Sequence, residues 1–377
     1  MTKGIYENLG VKKFINAAGT YTAIGGSRMS PQTLSAMAEA AQSHVDIRKL
    51  QNAVHHRLAG LTRNDAAYVS NGAACGLALC CAAAISLKKN KPFGILTRDE
   101  VTSCEIAIFR AHRNPYDWAL RFAGATLNEI GYPNYLQVPD TALLHQEIRS
   151  NTAAIYFVYS PAGGWLPDGA PSFETIVKVA QEKGIPLIVD AAAQLPPKAN
   201  LWEITDKGAT VALFSGGKDL CGPQASGLIV GNKGFLQAVT DIGFPNFGMG
   251  RMFKVGREEL IGLLSAIEQY LERDEEQYSE DCENMVEFIC TELSDSTYFR
   301  ARRDFPNEAG QPIARVRIVP LTMSAEELHN FLLASDPAVF LGVERGALFI
   351  NPLTLKHGEV ESVLVALKEL ESRLSKL

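Results

Sequence analysis

"LFSGGKDLCGPQASGLIVG" (residues 213–231) sets one lysine, Lys218, between a pair of glycines and a Cys-Gly-Pro turn. The apolar residues 211–214 that lead into it read as a buried strand, and residues 227–231 read as another. A cation at the tip of such a connection is either a solvated loop residue or an amine held in place for chemistry. The order strand-Ser-Gly-Gly-Lys puts Lys218 just past the carboxyl end of a parallel strand, the edge at which open α/β sheets bind ligands.

Further strand signals flank this one. Short apolar runs rich in Val, Ile and Phe fall at 67–70, 93–97, 126–130, 153–159, 186–190, 211–215 and 228–231, mostly without polar alternation, as in strands covered on both faces. Helical patterns separate them, one over 73–87 and one over 172–183, the latter with Ser172 as N-cap and Gly184 as its stop. This rhythm predicts an α/β fold: a large domain with a mostly parallel seven-stranded sheet. From Arg257 the pattern changes to a long amphipathic helix, with Leu260, Ile261, Leu263, Leu264, Ile267 and Leu271 on one stripe. A strand over 313–319, a helix over 324–334, a hairpin over 339–350 around Glu344-Arg345-Gly346 and a helix over 359–377 follow, which predicts a smaller C-terminal α+β domain. The expected division is 1–45 as an extended, Gly-rich segment, 46–256 as the large domain, and 257–377 as linking helix and small domain.

Composition narrows the function classes. The chain has 377 residues, 46% hydrophobic and 21% charged, which is ordinary for a globular protein. A net charge of -6 argues against a broad nucleic-acid footprint. The opening MTKGIYENLGVKKF has no apolar signal core, and no run of 18 apolar residues occurs, so no membrane partner and a cytoplasmic location are expected. The seven cysteines (75, 80, 81, 104, 221, 282, 290) form no C-x-x-C pair. That fits a reducing compartment with free thiols and predicts neither a disulfide framework nor a metal site. His55 and His56 read as ordinary helix residues, since adjacent positions do not share a helix face.

Two features join Lys218. "IPLIVDAAAQLPP" ends a buried strand in Asp190, an acid that is expensive to bury without a cation or donor. "AAYVSNGAACGLALCCAAA" runs from a strand through Ser70, Asn71, Gly72 and Ala73 directly into a helix, where small residues and the helix dipole make an anion cradle. Cradle, strand-end acid and glycine-flanked lysine together fit pyridoxal 5'-phosphate (PLP). Its phosphate suits the helix N-terminus, its ring nitrogen needs a carboxylate, and its aldehyde needs a lysine amine for a Schiff base. The plain alternatives are a turn lysine, an N-capping Asp190 and tight strand–helix packing at Ser70. Ser215, three residues before the lysine, reads either as a hydroxyl donor to the phosphate or as a turn serine.

The chain order of cradle, acid and lysine is that of the fold-type I PLP enzymes. The sequence resembles the PLP-dependent group that contains bacterial selenocysteine synthase (L-seryl-tRNA selenium transferase) and D-glucosaminate-6-phosphate ammonia-lyase. The resemblance rests on "FSGGKDLCGPQASGLIVG", "FINAAGT", "IVDAAAQLPP" and "GRMFKVGREELIGLLSAIE", the last two pointing to the ammonia-lyase branch. It covers nearly the whole chain. It implies that His112 in "FRAHRNPYDWAL" stacks on the cofactor ring, with Tyr116 and Trp118 also available, a surface helix histidine being the plain alternative. It also implies a guanidinium near the substrate at Arg251, with Lys254, Arg28 and Arg345 as further candidates for an anionic pocket. Cys221 reads as packing. A homodimer or higher homo-oligomer is implied, with the N-terminal segment packing on the small domain and reaching the partner.

The activity implied is α,β-elimination, dehydration plus deamination, of a 2-amino-3-hydroxy acid such as a 2-amino-2-deoxy sugar acid or its phosphate. Lys218 would act as general base above the ring held by Asp190, and the products would be a 2-keto-3-deoxy acid and ammonia. The other branch, β-replacement on seryl-tRNA, is disfavoured by the lack of a basic patch. Racemisation or carbon–sulfur lysis would use the same residues. A catalytically silent PLP-fold binding protein is the alternative from another class, opposed by the presence of both Lys218 and Asp190.

Overall fold

The computed structural model describes residues 4–375, so Met1 to Lys3 and the last two positions of the helix expected over 359–377 lie outside the described residues. The chain divides into two compact units. The larger comprises Arg28–Arg273 with Glu308–Gln311, and the smaller comprises the residues up to Ser27, Asp274–Asn307 and the chain from Pro312 onward.

In the larger unit seven strands form one sheet: β1 (Ala66–Ser70), β2 (Glu105–Phe109), β3 (Thr126–Ile130), β4 (Thr152–Val158), β5 (Leu187–Asp190), β6 (Val211–Ser215) and β7 (Gly227–Gly231). Their order is β1-β7-β6-β5-β4-β2-β3. β7 runs antiparallel to both its neighbours and the other pairings are parallel, so the mostly parallel seven-stranded sheet is present. Alternate side chains feed two cores. Phe109, Phe157, Val189 and Phe214 meet the helices Ile47–Leu61, Phe173–Lys183 and Arg257–Glu272 on one face. Ile108, Tyr156, Ile188 and Leu213 meet Gly72–Lys89 and Lys233–Ile242 on the other. Apolar residues on both sides of each strand explain the unbroken apolar runs in the sequence.

In this sheet one expected strand is wrong and one strand lacked an expectation, as did β8 (Phe299–Asp304) of the smaller unit. Residues 93–97 form a short 3-10 turn at Phe93–Ile95, where Ile95 is 69% exposed. The strand in that part of the chain is β2, fully buried, whose "EIAIF" follows a helix capped by Thr97. The helix Phe173–Lys183 begins and ends at the expected signals: Ser172 accepts from the Thr175 N–H, and Gly184 takes a left-handed conformation.

The expected boundaries at 45 and 256 also move. Residues Pro31–Ala41 are not extended but helical, with Ser30 as N-cap, and this helix packs on Arg257–Glu272 inside the larger unit. Leu260, Leu263 and Ile267 of the latter helix belong to the core of the sheet, which is why it sides with the larger unit. It stops at Arg273, and a second helix, Glu275–Glu292, starts on the Asp274 cap, so the acidic run "ERDEEQY" is a helix junction.

The smaller unit has its own core under a four-stranded antiparallel sheet of β8 (Phe299–Asp304), β9 (Arg315–Pro320), β10 (Gly342–Glu344) and β11 (Ala347–Ile350), ordered β10-β11-β9-β8. Ile15–Asn16 of the N-terminal segment pairs in parallel with Val339–Phe340.

Candidate active site

Register brings the three sequence features to one edge. Ser70 ends β1 and Ser215 ends β6, and both are paired with Gly227 of the strand between them. Two interstrand spacings therefore separate the helix start from the lysine loop, on the order of 10 Å. Gly227 makes the helix start possible: a Cβ there would stand 2.6 Å from the Gly72 carbonyl carbon and 2.7 Å from the Ala73 nitrogen. Asp190 ends β5, next to β6, at the same carboxyl edge.

The helix Gly72–Lys89 starts without a side-chain cap. Asn71 instead donates from Nδ2 to the Lys254 carbonyl, at 2.8 Å. The N–H groups of the first turn have no helical acceptor and carry the positive end of the dipole, so they are available to an anion. Ser70 turns its hydroxyl inward to the Gly72 carbonyl, at 2.9 Å, and is buried. It shapes the turn with its side chain, while Asn71, Gly72 and Ala73 keep partly exposed positions at the mouth.

Asp190 is 8% exposed. One carboxylate oxygen accepts from the Tyr156 hydroxyl at 2.8 Å and the other from the Ala192 N–H at 3.0 Å. Tyr156 lies on the same sheet face one strand away, and burial, then the neighbouring Asp190 charge, hold its phenol well above the usual range, so it stays a donor. Sequence reading missed Tyr156 because a tyrosine inside "AAIYFV" looks like plain core.

Lys218 is partly buried, on the connection between β6 and β7. Burial lowers its amine below the ordinary lysine range, while the charges of Asp190 and then Glu308 pull it back up. The amine thus lies in the field of two carboxylates and still has a raised tendency to be neutral and nucleophilic. Glu308 was also missed, since it lies far along the chain. The segment Glu308–Gln311 returns to the larger unit, where the Glu308 carbonyl accepts from the Trp165 N–H at 2.8 Å and Gln194 donates to the Ala309 carbonyl at 2.7 Å.

His112 sits beside Asp190's strand, with Nδ1 accepting from the Val158 N–H at 3.2 Å, and Val158 is the register partner of Asp190. Its ring meets Phe109 and Phe157 edge-on, at 5.7 and 4.6 Å between centroids, and burial pushes its pKa down to about 4. Its contacts are those of a packed, neutral imidazole, whereas Tyr116 and Trp118 are exposed. His55 lies in the helix Ile47–Leu61, in line with its reading as a helix residue, and it is buried, with Nε2 accepting from the Val69 N–H at 3.1 Å.

Among the substrate candidates, Lys254 is exposed and its carbonyl is tied to Asn71, which fixes this segment at the cradle. Arg251, also exposed, lies in the same segment with its guanidinium 5.3 Å from the Phe244 ring centre. Arg28 is exposed just before the Ser30 cap. Arg345 belongs to the smaller unit, at the turn between β10 and β11. Ser215 is partly exposed, and its N–H donates to the Ala192 carbonyl at 3.3 Å.

These groups fit PLP on observations of this chain alone: an uncapped helix start of small residues, a buried carboxylate held by two donors, and an amine that burial biases toward its neutral form. Comparison with known proteins agrees. The chain is 28% identical to D-glucosaminate-6-phosphate ammonia lyase of Salmonella typhimurium, covering 98% of each. It is 30% identical to 5'-C-glycyluridine monooxygenase-decarboxylase of a Streptomyces species, covering 97% of this chain and 91% of that one. A solved structure of D-glucosaminate-6-phosphate ammonia-lyase superposes with a TM-score of 0.83 over 99% of both chains. The family model described as SelA, L-seryl-tRNA selenium transferase, matches residues 14–294, and the chain belongs to that family of α/β enzymes.

Proposed function

We propose that this protein is a PLP-dependent ammonia-lyase that dehydrates and deaminates a 2-amino-3-hydroxy acid, such as an amino-sugar acid or its phosphate, to a 2-keto-3-deoxy acid and ammonia. The observation that carries the reading is the register that brings the helix start after Ser70, the Asp190 strand end and the Lys218 connection to one edge of the sheet. The names of the relatives supply the substrate class, because seryl, glucosaminate and glycyluridine each denote an amino acid with oxygen on the neighbouring carbon.

The cofactor, when bound, supplies an electron sink for the carbanion formed at the substrate Cα. Lys218 would attach it and, once displaced by the substrate amine, take the Cα proton at Nζ. Asp190, oriented by Tyr156 and the Ala192 N–H, would keep the ring nitrogen protonated. The first-turn N–H groups around Gly72 and Ala73 would hold the phosphate. Lys254, whose carbonyl accepts from Asn71, and Arg251 in the same segment would serve a substrate carboxylate or phosphate. The atoms balance: the Cα proton and the Cβ hydroxyl leave as water, and hydrolysis of the enamine takes water back and releases ammonia and a 2-keto-3-deoxy acid. A homodimer in the cytoplasm is part of the same proposal.

The test is a screen of 2-amino-3-hydroxy acids and amino-sugar acid phosphates on PLP-loaded protein, following ammonia and keto acid together. Equal yields of the two without oxygen uptake support the lyase. The relative named as a monooxygenase-decarboxylase makes oxygen consumption with carbon dioxide release the second outcome to follow, and that result would replace elimination by oxidation. Racemisation without ammonia would also overturn the proposal.

A further inference from the structure

Lys218 and Asp219 are consecutive, yet their side chains serve different neighbours. The Lys218 amine feels Asp190 and Glu308, whereas the Asp219 carboxylate is buried and accepts from both terminal nitrogens of Arg273, at 2.8 and 3.5 Å. Arg273 is itself held. Its guanidinium lies 4.5 Å from the Tyr270 ring centre, and its carbonyl and that of Leu271 accept from the Lys198 ammonium at 3.2 and 3.4 Å. The helix that ends there, Arg257–Glu272, packs along the lysine loop. Gly222 approaches Leu263 and Ala266, and Gly262 leaves room for Pro223.

We propose that the Asp219–Arg273 pair is a clamp that aims Lys218, and that Arg273 is a positioning residue for the site. A buried carboxylate is costly to leave without its cation, so the pair fixes the Asp219 side chain. A side chain fixed at 219 fixes the direction open to 218, because rotating the intervening peptide would pull the carboxylate from the guanidinium. The turn after it adds to this, with the Cys221 N–H donating to the Lys218 carbonyl at 2.9 Å. Arg273 also neutralises the acid next in sequence to the amine.

The inference rests on reading Lys218 as the attachment point, and its test has a readout that does not need the cofactor. In the apoprotein, acetic anhydride labelling of each lysine against pH, read by peptide mass, gives the reactivity of Lys218 directly. Trapping of added PLP by borohydride gives the rate of attachment. In Arg273→Gln, Lys218 labelling and trapping both slow, by about tenfold or more, since small misplacements of a reacting group cost that much. Arg273→Lys recovers a large part of both. Ile176→Val, a buried change elsewhere in the unit, destabilises without altering either. Should Arg273→Gln not fold, Asp219→Asn, which keeps the shape and removes the charge, is expected to slow trapping as well. Labelling and trapping within about twofold of wild type in whichever variant folds would overturn the clamp, however far the melting temperature falls. Cofactor trapped on another lysine would instead sink the attachment reading, and the labelling curves would still decide the clamp.

Discussion

Two antiparallel strand pairs in this molecule carry a cation on the connection between them, and they differ in how that connection is built. β10 and β11 are joined by Arg345 and Gly346 alone, both with positive φ (49° and 75°), the geometry of a type I′ turn that matches strand twist. β6 and β7 pair just as regularly, yet residues 216–226 intervene. That longer connection closes on itself through Gly216 and Ser226, and Asp219 anchors it to Arg273. Arg345 is exposed at a turn whose form follows from hairpin geometry. Lys218 has its proton affinity set by burial and by two acids. A cation on a turn signals chemistry only when the turn is longer than the strands require and its surroundings perturb the charge.

Substituting each cation tests the comparison most severely. Lys218→Ala should abolish the visible band of PLP-loaded protein and lower turnover by about a thousandfold or more. Arg345→Ala should leave both within about twofold, and a large rise in KM there would restore Arg345 to the substrate pocket. Asp190→Asn should cost about a hundredfold to ten-thousandfold in turnover with the cofactor still attached, read from the band and the rate together. An unchanged rate would remove Asp190 from the chemistry.

The next test is acid stability, which depends on two buried imidazoles of the larger unit. His55 and His112 have folded pKa values pushed down to about 4 by burial, below the unfolded value of 6.5. Protonation therefore favours the unfolded chain. The stability that each neutral ring preserves is full above about pH 6.5 and is lost as pH falls toward 4, by up to about 3 kcal/mol for each. Urea melts at several pH values should show this fall, and His55→Gln should flatten it. A smaller effect is expected at Glu308. Its charge raises the Lys218 amine, so Glu308→Gln should move the apoprotein labelling curve of Lys218 to lower pH, by about one unit or less. No movement would place the carboxylate outside the site. The smallest change is Arg345→Asn, which suits a left-handed position better and should stabilise by about 0.5 kcal/mol in a thermal melt.

What the sequence showed and hid follows from how local each signal is. The strand-to-helix turn at Ser70, the acid at the end of "LIVD" and the lysine between glycines and a proline turn each announce themselves within a few residues. Tyr156 gives no such sign, because its role is a hydrogen bond from the next strand. Glu308, Asp219 and Arg273 act through chain returns and helix packing that no local pattern marks. β2 was overlooked because "FGILT" offered apolar residues sooner, though Pro92 and Gly94 around it favour the turn that forms there. The linking helix showed its stripe but not its partner, since amphipathicity says that a face is buried and not against what.

The central claim is that one amine, Lys218, holds the cofactor, and borohydride reduction of PLP-loaded protein followed by peptide mapping measures it directly. The account predicts a phosphopyridoxyl mass on the peptide that contains Lys218, and its loss in Lys218→Ala. The label on a different lysine, or a Lys218 peptide left unmodified by saturating PLP, would contradict it.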